Sequence, residues 1–344
     1  MPRRRQHKIG VALAGGGPLG AIYEIGALVA LQDALRGVDF TACGVYVGVS
    51  SGGVIASGLA NGLSPRDIHA MFIENETANE AFDPEILLRP AFGEYFRRFA
   101  SIPGLAFQAM EHWVADPFSK GFFASFQRLG RAIPTGIFDN TGFSAFLAKL
   151  LSAPGRTDDF RELPHKLFLV ATDLDSGKAV PFGAAGWDHV PISRAVQASA
   201  ALPGLFPPVE IEGRQYVDGA LMKTLHASVA LKEGAKLLIC VNPLVPFNAD
   251  LTHDDDGRGE RISLIDRGLP AVMAQTFRAI IHSRMRVGMD RYRNEYPDAD
   301  VVLFEPNHAD AEIFFANIFS YASRKRLAQH AYERTLADLR RRRE

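Results

Sequence analysis

Two stretches near the start of the chain decide the fold: KIGVALAGGGPLG at Lys8–Gly20 and CGVYVGVSSGG at Cys43–Gly53. Each opens on a short apolar run of strand length and then turns through glycine. A helical pattern follows the first turn from about Leu19 to Leu35, and SSGGVIASGLA begins a second helix after the other. Strand, helix, strand, helix in that order calls for a mostly parallel sheet covered by helices on both faces, the α/β class. Further strands are expected at KLFLVAT (Lys166–Thr172), KAVPFG (Lys178–Gly183), KLLICVN (Lys236–Asn242) and VVLFEP (Val301–Pro306). Helices are expected over Ser193–Ala201, Leu225–Glu233, Leu264–Met289 and Arg324–Arg341.

Between Phe82 and Ile133 the character changes. Phe92, Phe96 and Phe99 follow one helical face, and aromatic residues continue through Phe107, Trp113, Phe118, Phe122, Phe123 and Phe126, with Pro84, Pro90, Pro103 and Pro117 as punctuation. The stretch reads as a helical insertion, either ordinary core helices or an apolar lid or channel over a site. DDDGRGER at Asp254–Arg261 reads as an exposed loop. No internal repeat or linker divides the 344 residues, so a single domain is expected over 1–344.

With 47% apolar and 22% charged residues the chain has material for a large core, which excludes the disordered and fibrous classes. A formal net charge of −1 argues against a nucleic-acid binder, which needs a concentrated basic face. Basic residues do gather at Arg3–Arg5 and Arg340–Arg343, either as solvated ends or as a weak attraction to an anionic membrane surface. The two cysteines, Cys43 and Cys240, lie in apolar runs and are expected as buried free thiols, with no structural zinc. No apolar stretch at the start suits a signal segment or a membrane span, so a cytoplasmic protein is expected, at most peripheral at a membrane.

Three motifs can carry chemistry. Gly15-Gly16-Gly17-Pro18-Leu19-Gly20 follows a strand and opens a helix. It fits a dinucleotide-binding turn with Asp39 as ribose ligand, an oxyanion socket of amide donors, or a plain tight turn. Asp39 precedes the second strand, whereas a ribose ligand should end it. Gly48-Val49-Ser50-Ser51-Gly52 is G-x-S-x-G at a strand–turn–helix junction, where a sharp turn lifts one hydroxyl above the sheet. Ser50 is central, and Ser51 stands one place past it. The third is Tyr216-Val217-Asp218-Gly219-Ala220, a carboxylate ending a strand on a tight turn, or a simple Asp-Gly turn. The downstream histidines His226, His253, His282, His308 and His330 occupy no loop of obvious catalytic type.

In that order, GGGPLG, GVSSG and DGA resemble the patatin-like phospholipase family. PTGIFDN (134–140), ATDLDSG (Ala171–Gly177) and ASAALPGLFPPVEIEGRQYVDGA (198–220) look like the family too, so the resemblance covers roughly 8–245. It implies a three-layer α/β/α fold with an aromatic-rich insertion over about 82–133 and a helical extension over 246–344. It further implies a serine lipid acyl hydrolase without cofactor or metal, using a Ser50–Asp218 dyad. Gly15, Gly16 and Gly17 would hold the oxyanion. The partner implied is a lipid or acyl-ester substrate. Leu19 stands where the family usually has Lys or Arg, which leaves lysophospholipid, acylglycerol, thioester and simple esters open beside phospholipid. A non-catalytic lipid-binding protein on the same fold and a Rossmann-type oxidoreductase are the alternatives.

Overall fold

The computed structural model describes residues 8–74, 82–115, 132–248, 263–308, 317 and 319–342. The chain opens with β1 (Ile9–Leu13), α1 (Gly17–Ala34), β2 (Val45–Gly48), α2 (Ser51–Ala60) and α3 (Pro65–His69), the last continued by a π-helical turn at Ala70–Glu74. It continues with α4 (Phe92–Ala115), α5 (Thr141–Leu151), β3 (Lys166–Asp173), β4 (Lys178–Phe182), α6 (Ile192–Ser199), β5 (Val209–Ile211) and β6 (Arg214–Asp218). It closes with α7 (Ala227–Lys232), β7 (Leu237–Val241), α8 (Gly268–Glu295), β8 (Asp300–Phe304) and α9 (Tyr321–Arg341).

Five strands run parallel in the order β3, β2, β1, β7, β8, and β4, β5 and β6 complete an eight-stranded mixed sheet by antiparallel pairing. Their side chains alternate between two cores, as the pleat requires. Val11, Leu13, Tyr46, Leu169 and Ile239 face a core closed by α1, α2, α5, α6 and α9. Ala12, Val47, Val170 and Cys240 face the other, closed by α7 and α8. Strands buried on both faces read as continuous apolar runs, which is why they were recognisable from sequence. The result is three layers with a mostly parallel sheet in the middle.

One register detail places the site. Leu169 of β3 pairs with Phe182 of β4 on one side and Gly48 of β2 on the other. Two residues on, Ala171 pairs with Val180 of β4 and with Asp218 of β6. β4 occupies one edge of β3, so β2 and β6 share the opposite edge. Because β2 is parallel and β6 antiparallel to β3, their C-terminal ends approach each other head to head. Residues just past Gly48 are thereby brought to Asp218.

Helix α1 is apolar on nearly every side, Glu24 excepted, and buried from Gly20 to Leu31, apart from the half-buried Ala21, so its outer face needs a cover. Helix α9 supplies it. A Cβ on Gly26 would lie 2.2 Å from the carbonyl oxygen of Ala328, so glycine is what allows the two helices to close. The Tyr332 hydroxyl donates to Asp33 Oδ2 at 3.0 Å, so α9 runs in the same direction as α1.

The described part of the aromatic insertion divides between buried and exposed positions. Phe82 is packed against the core, whereas Phe92, Phe96 and Phe99 on α4 are 71%, 79% and 61% exposed. Phe107 is exposed as well, and Pro103 lies inside the helix. Pro117, Phe118, Phe122, Phe123 and Phe126 lie outside the described residues, as do Arg3–Arg5, Arg343, His253 and the acidic loop at Asp254–Arg261. Of the C-terminal arginines, Arg341 and Arg342 pair with Asp338, and Arg342 also donates to the Leu303 carbonyl at 2.6 Å. Cys43 and Cys240 are buried free thiols pushed up to about 12 by desolvation. Among the described residues no helix is long and apolar enough to cross a membrane.

Candidate active site

Ser50 sits between β2 and α2 with φ +52° and ψ −124°, a conformation a non-glycine residue adopts only when its surroundings enforce it. The enforcing contacts are backbone bonds. Val49 N donates to Leu13 O at 3.1 Å, Gly52 N to Ala14 O at 3.1 Å, and Gly53 N to Ser50 O at 2.9 Å. A Cβ on Gly52 would stand 2.4 Å from the Ala14 oxygen, and one on Gly48 would stand 2.5 Å from the Gly53 Cα. The motif glycines are therefore a steric requirement of the elbow. Ser51, by contrast, is the first residue of α2, and its buried hydroxyl has no hydrogen-bond partner.

Asp218 ends β6, 3% exposed. Its backbone N donates to Ala201 O at 3.0 Å, and Ala220 N donates to its Oδ1 at 2.8 Å. Its carboxyl lies close enough to Ser50 for that side chain to favour its charged form, the meeting that the register of β3 prepares. Desolvation by burial pushes Asp218 up to about 6, against the lowering effect of the Ala220 bond and of Ser50. Gly219 is compelled here too, since a Cβ would lie 2.0 Å from the Val170 oxygen.

The glycine turn closes over the same point. A Cβ on Gly15 would lie 3.0 Å from Ser50 Cβ and 3.7 Å from its Oγ. Gly16 is pressed against Pro243 and Gly20, and Gly17 has φ +62°. Among the described residues the N–H groups of Gly15, Gly16 and Gly17 have no acceptor, as expected at the open N-terminus of α1. Asp39 is elsewhere: it precedes β2, and its carboxylate accepts from Thr41 N at 2.9 Å and Thr41 Oγ1 at 2.6 Å. That removes the ribose ligand the dinucleotide reading needed.

None of the described histidines meets Ser50. His226 Nε2 donates to the Gly219 carbonyl at 3.3 Å, and burial pushes its ring down to about 4. His282 faces His308 with ring centroids 5.3 Å apart, and His308 Nδ1 donates to Pro246 O at 2.8 Å. His330 lies on α9.

A cavity of about 440 Å³ opens on these groups. Gly15–Gly17, Ser50 and Asp218 line it, together with Phe72, Phe82, Phe138, Phe143, Phe206 and Phe277. Its lining therefore combines residues from Gly15 to Ala220 with Phe277, Ile281 and Arg324 from beyond 246. Leu19 is not on it and packs against the core instead.

The family model described as Patatin-like phospholipase matches residues 11–231, well over half of the 344-residue chain. The chain belongs to the patatin-like phospholipase family. Within this patatin-like chain, a 91-residue stretch is 34% identical to the uncharacterized NTE family proteins Mb1092c of Mycobacterium bovis and Rv1063c of Mycobacterium tuberculosis. That match covers 26% of the chain and only 20% of each relative's length. Among solved structures, VipD from Legionella pneumophila is 16% identical with a TM-score of 0.44, over 96% of this chain and 66% of VipD. The type III effector ExoU of Pseudomonas aeruginosa is 16% identical with a TM-score of 0.39, over 97% of this chain and 53% of ExoU.

Two further residues at this patatin-like site carry no motif. Ser199 Oγ accepts from Ser50 N at 2.9 Å and donates to Val170 O at 2.6 Å. Arg324 reaches the cavity wall from α9.

Proposed function

We propose that the protein is a serine lipid acyl hydrolase working through a Ser50–Asp218 dyad, and the observation that carries this is the buried carboxyl of Asp218 sharing one cavity with a hydroxyl held on a strained elbow. Burial makes Asp218 a better base than an ordinary carboxylate, whose pKa is about 3.9, while leaving most of it ionised at neutral pH. Ser50 Oγ attacks the acyl carbonyl carbon as its proton passes to Asp218. The carbonyl oxygen gathers negative charge beside the N–H groups of Gly15, Gly16 and Gly17, and the N-terminus of α2 favours that charge. The tetrahedral intermediate expels the alcohol, which takes the proton from Asp218 and leaves the acyl group on Ser50. Asp218 then deprotonates a water, which attacks the acyl ester, and as the carboxylic acid departs Asp218 returns that proton to the leaving Ser50 Oγ.

The apolar cavity supports an acyl chain as the group bound, since each buried CH₂ is worth about 0.8 kcal/mol. It also supports 1–344 acting as one unit, because Phe277 and Arg324 complete a site whose Ser50 and Asp218 come before residue 220. The exposed phenylalanine face of α4 suits contact with a lipid interface.

The test is fatty acid release from a micellar monoacyl ester by wild type, Ser50→Ala and Asp218→Asn. Release by wild type, with a loss of about a thousandfold or more in each variant, is expected. A wild-type protein that binds the lipid without releasing acid would favour a non-catalytic lipid carrier on the same fold.

A further inference from the structure

Arg324 is a buried cation in a mostly apolar chamber that Arg278 of α8 also lines. It is 6% exposed and lies on the wall of the cavity that holds Ser50. Its position follows from the α1–α9 crossing. Ala328 meets Gly26 and Tyr332 meets Asp33, so one turn earlier Arg324 falls toward the start of α1, where Ile22 and the glycine turn line the same cavity.

Its partners are few. One guanidinium nitrogen donates to the Phe72 carbonyl at 3.1 Å, and the group lies 5.8 Å from the Tyr321 ring centroid. Nε is buried without a hydrogen-bond partner. Among the described residues no carboxylate pairs with it. Glu74, on the same π-helical turn as Phe72, is taken by Lys325 and by the Tyr321 hydroxyl at 2.8 Å. The cavity's own carboxylate, Asp218, is engaged with Ser50 and Ala220.

An always-charged guanidinium buried with unspent donors costs free energy unless an anion joins it. Such a cost is a reason to look for the anion in the substrate. Apolar walls, an ester-cleaving serine and a forked cation in one chamber describe an acyl chain, an ester carbonyl and an oxyanion in one molecule. The planar fork matches phosphate oxygens. Resting on the hydrolase reading above, we propose that Arg324 anchors the phosphate of a phosphate-bearing acyl ester, so that the substrate is a lysophospholipid or phospholipid rather than a neutral glyceride. Helix α9 lies outside residues 11–231, so this selectivity belongs to the C-terminal extension of this chain.

The test is equilibrium binding in a Ser50→Ala background, where turnover cannot intrude. Lysophosphatidic acid and monoacylglycerol with the same acyl chain are compared, each with and without millimolar inorganic phosphate. Ser50→Ala should bind the phosphate-bearing lipid at least about tenfold more tightly. Adding Arg324→Gln, which keeps a donor for the Phe72 carbonyl and removes the charge, should abolish that preference. Adding Arg324→Lys should restore part of it, and serves if the glutamine variant does not fold. Equal binding of the two lipids, or a preference that survives Arg324→Gln, would overturn the proposal. Displacement of both lipids by inorganic phosphate alone would assign Arg324 to free phosphate and overturn it as well. If the monoacyl ester test fails while this preference holds, the hydrolase reading falls and the anchor stands.

Discussion

Ser199 Oγ bridges the backbone N–H of Ser50 at 2.9 Å and the carbonyl of Val170 at 2.6 Å, joining α6, the strained turn at Ser50 and β3 through one hydroxyl. Ser199 is fully buried, so no water can replace it. Ser199→Ala strands a donor and an acceptor, at about 1–3 kcal/mol each. We expect a lower unfolding midpoint in urea together with a loss of esterase turnover larger than the fraction unfolded explains. Full turnover in a destabilised Ser199→Ala protein would show that the elbow holds its strained φ without this bond.

Asp218 works against the stability of the fold. Its folded pKa of about 6 lies above the ordinary carboxylate value, so the folded chain binds this proton more tightly than the unfolded chain does. Stability from this group is complete below about pH 4 and declines as pH rises through 6. Asp218→Asn removes the buried charge and should stabilise the protein at pH 8 by up to about 3 kcal/mol. The gain should shrink toward zero at about pH 4, read from denaturant unfolding at both pH values. An inactive variant no more stable than wild type at pH 8 would argue that Asp218 is not desolvated.

Gly26 sets how closely α9 lies on α1. Gly26→Ala puts a methyl group 2.2 Å from the Ala328 oxygen, a backbone atom that cannot turn aside. Overpacking of this kind costs about 1–3 kcal/mol. Thermal unfolding measures it, and Arg324 should be displaced along with the helix. An unchanged melting temperature would mean that α9 does not pack as described.

The exposed phenylalanine face of α4 should meet lipid. Liposome flotation of wild type and of the Phe96→Ser/Phe99→Ser double variant measures this. Recovery with vesicles is expected for wild type and a several-fold lower recovery for the variant, since each buried phenylalanine contributes about 1.5–3 kcal/mol. Equal recovery would remove the interface role from α4.

Much of this architecture was legible because the strands carry alternating duties in a sheet buried on both faces, and because Gly48, Gly52 and Gly219 answer local steric demands that any chain taking these turns must meet. β5 at Val209–Ile211 was not, because three residues show no period. The phenylalanines of α4 announced a face, but whether a face turns inward depends on partners that periodicity does not contain. Ser199 looks like any small helical residue until β3 places Val170 beside it. Arg324 reads as one more cation on a basic helix, and only the approach permitted by Gly26 buries it. Local pattern thus announced Ser50, Asp218 and the glycine turn, which line one cavity, while their support and the cavity's charge came from contacts far apart in the chain.

The central claim is that Asp218, with no histidine, activates Ser50. The rate of covalent labelling by a fluorophosphonate, followed against pH in wild type and Asp218→Asn with the labelled residue mapped, tests it most directly. The account predicts labelling at Ser50, a wild-type rate that rises through about pH 6 and then levels, and a rate at least about a hundredfold lower without that rise in Asp218→Asn. Label on Ser51, or an Asp218→Asn protein that reacts at the wild-type rate with the same rise, would contradict it.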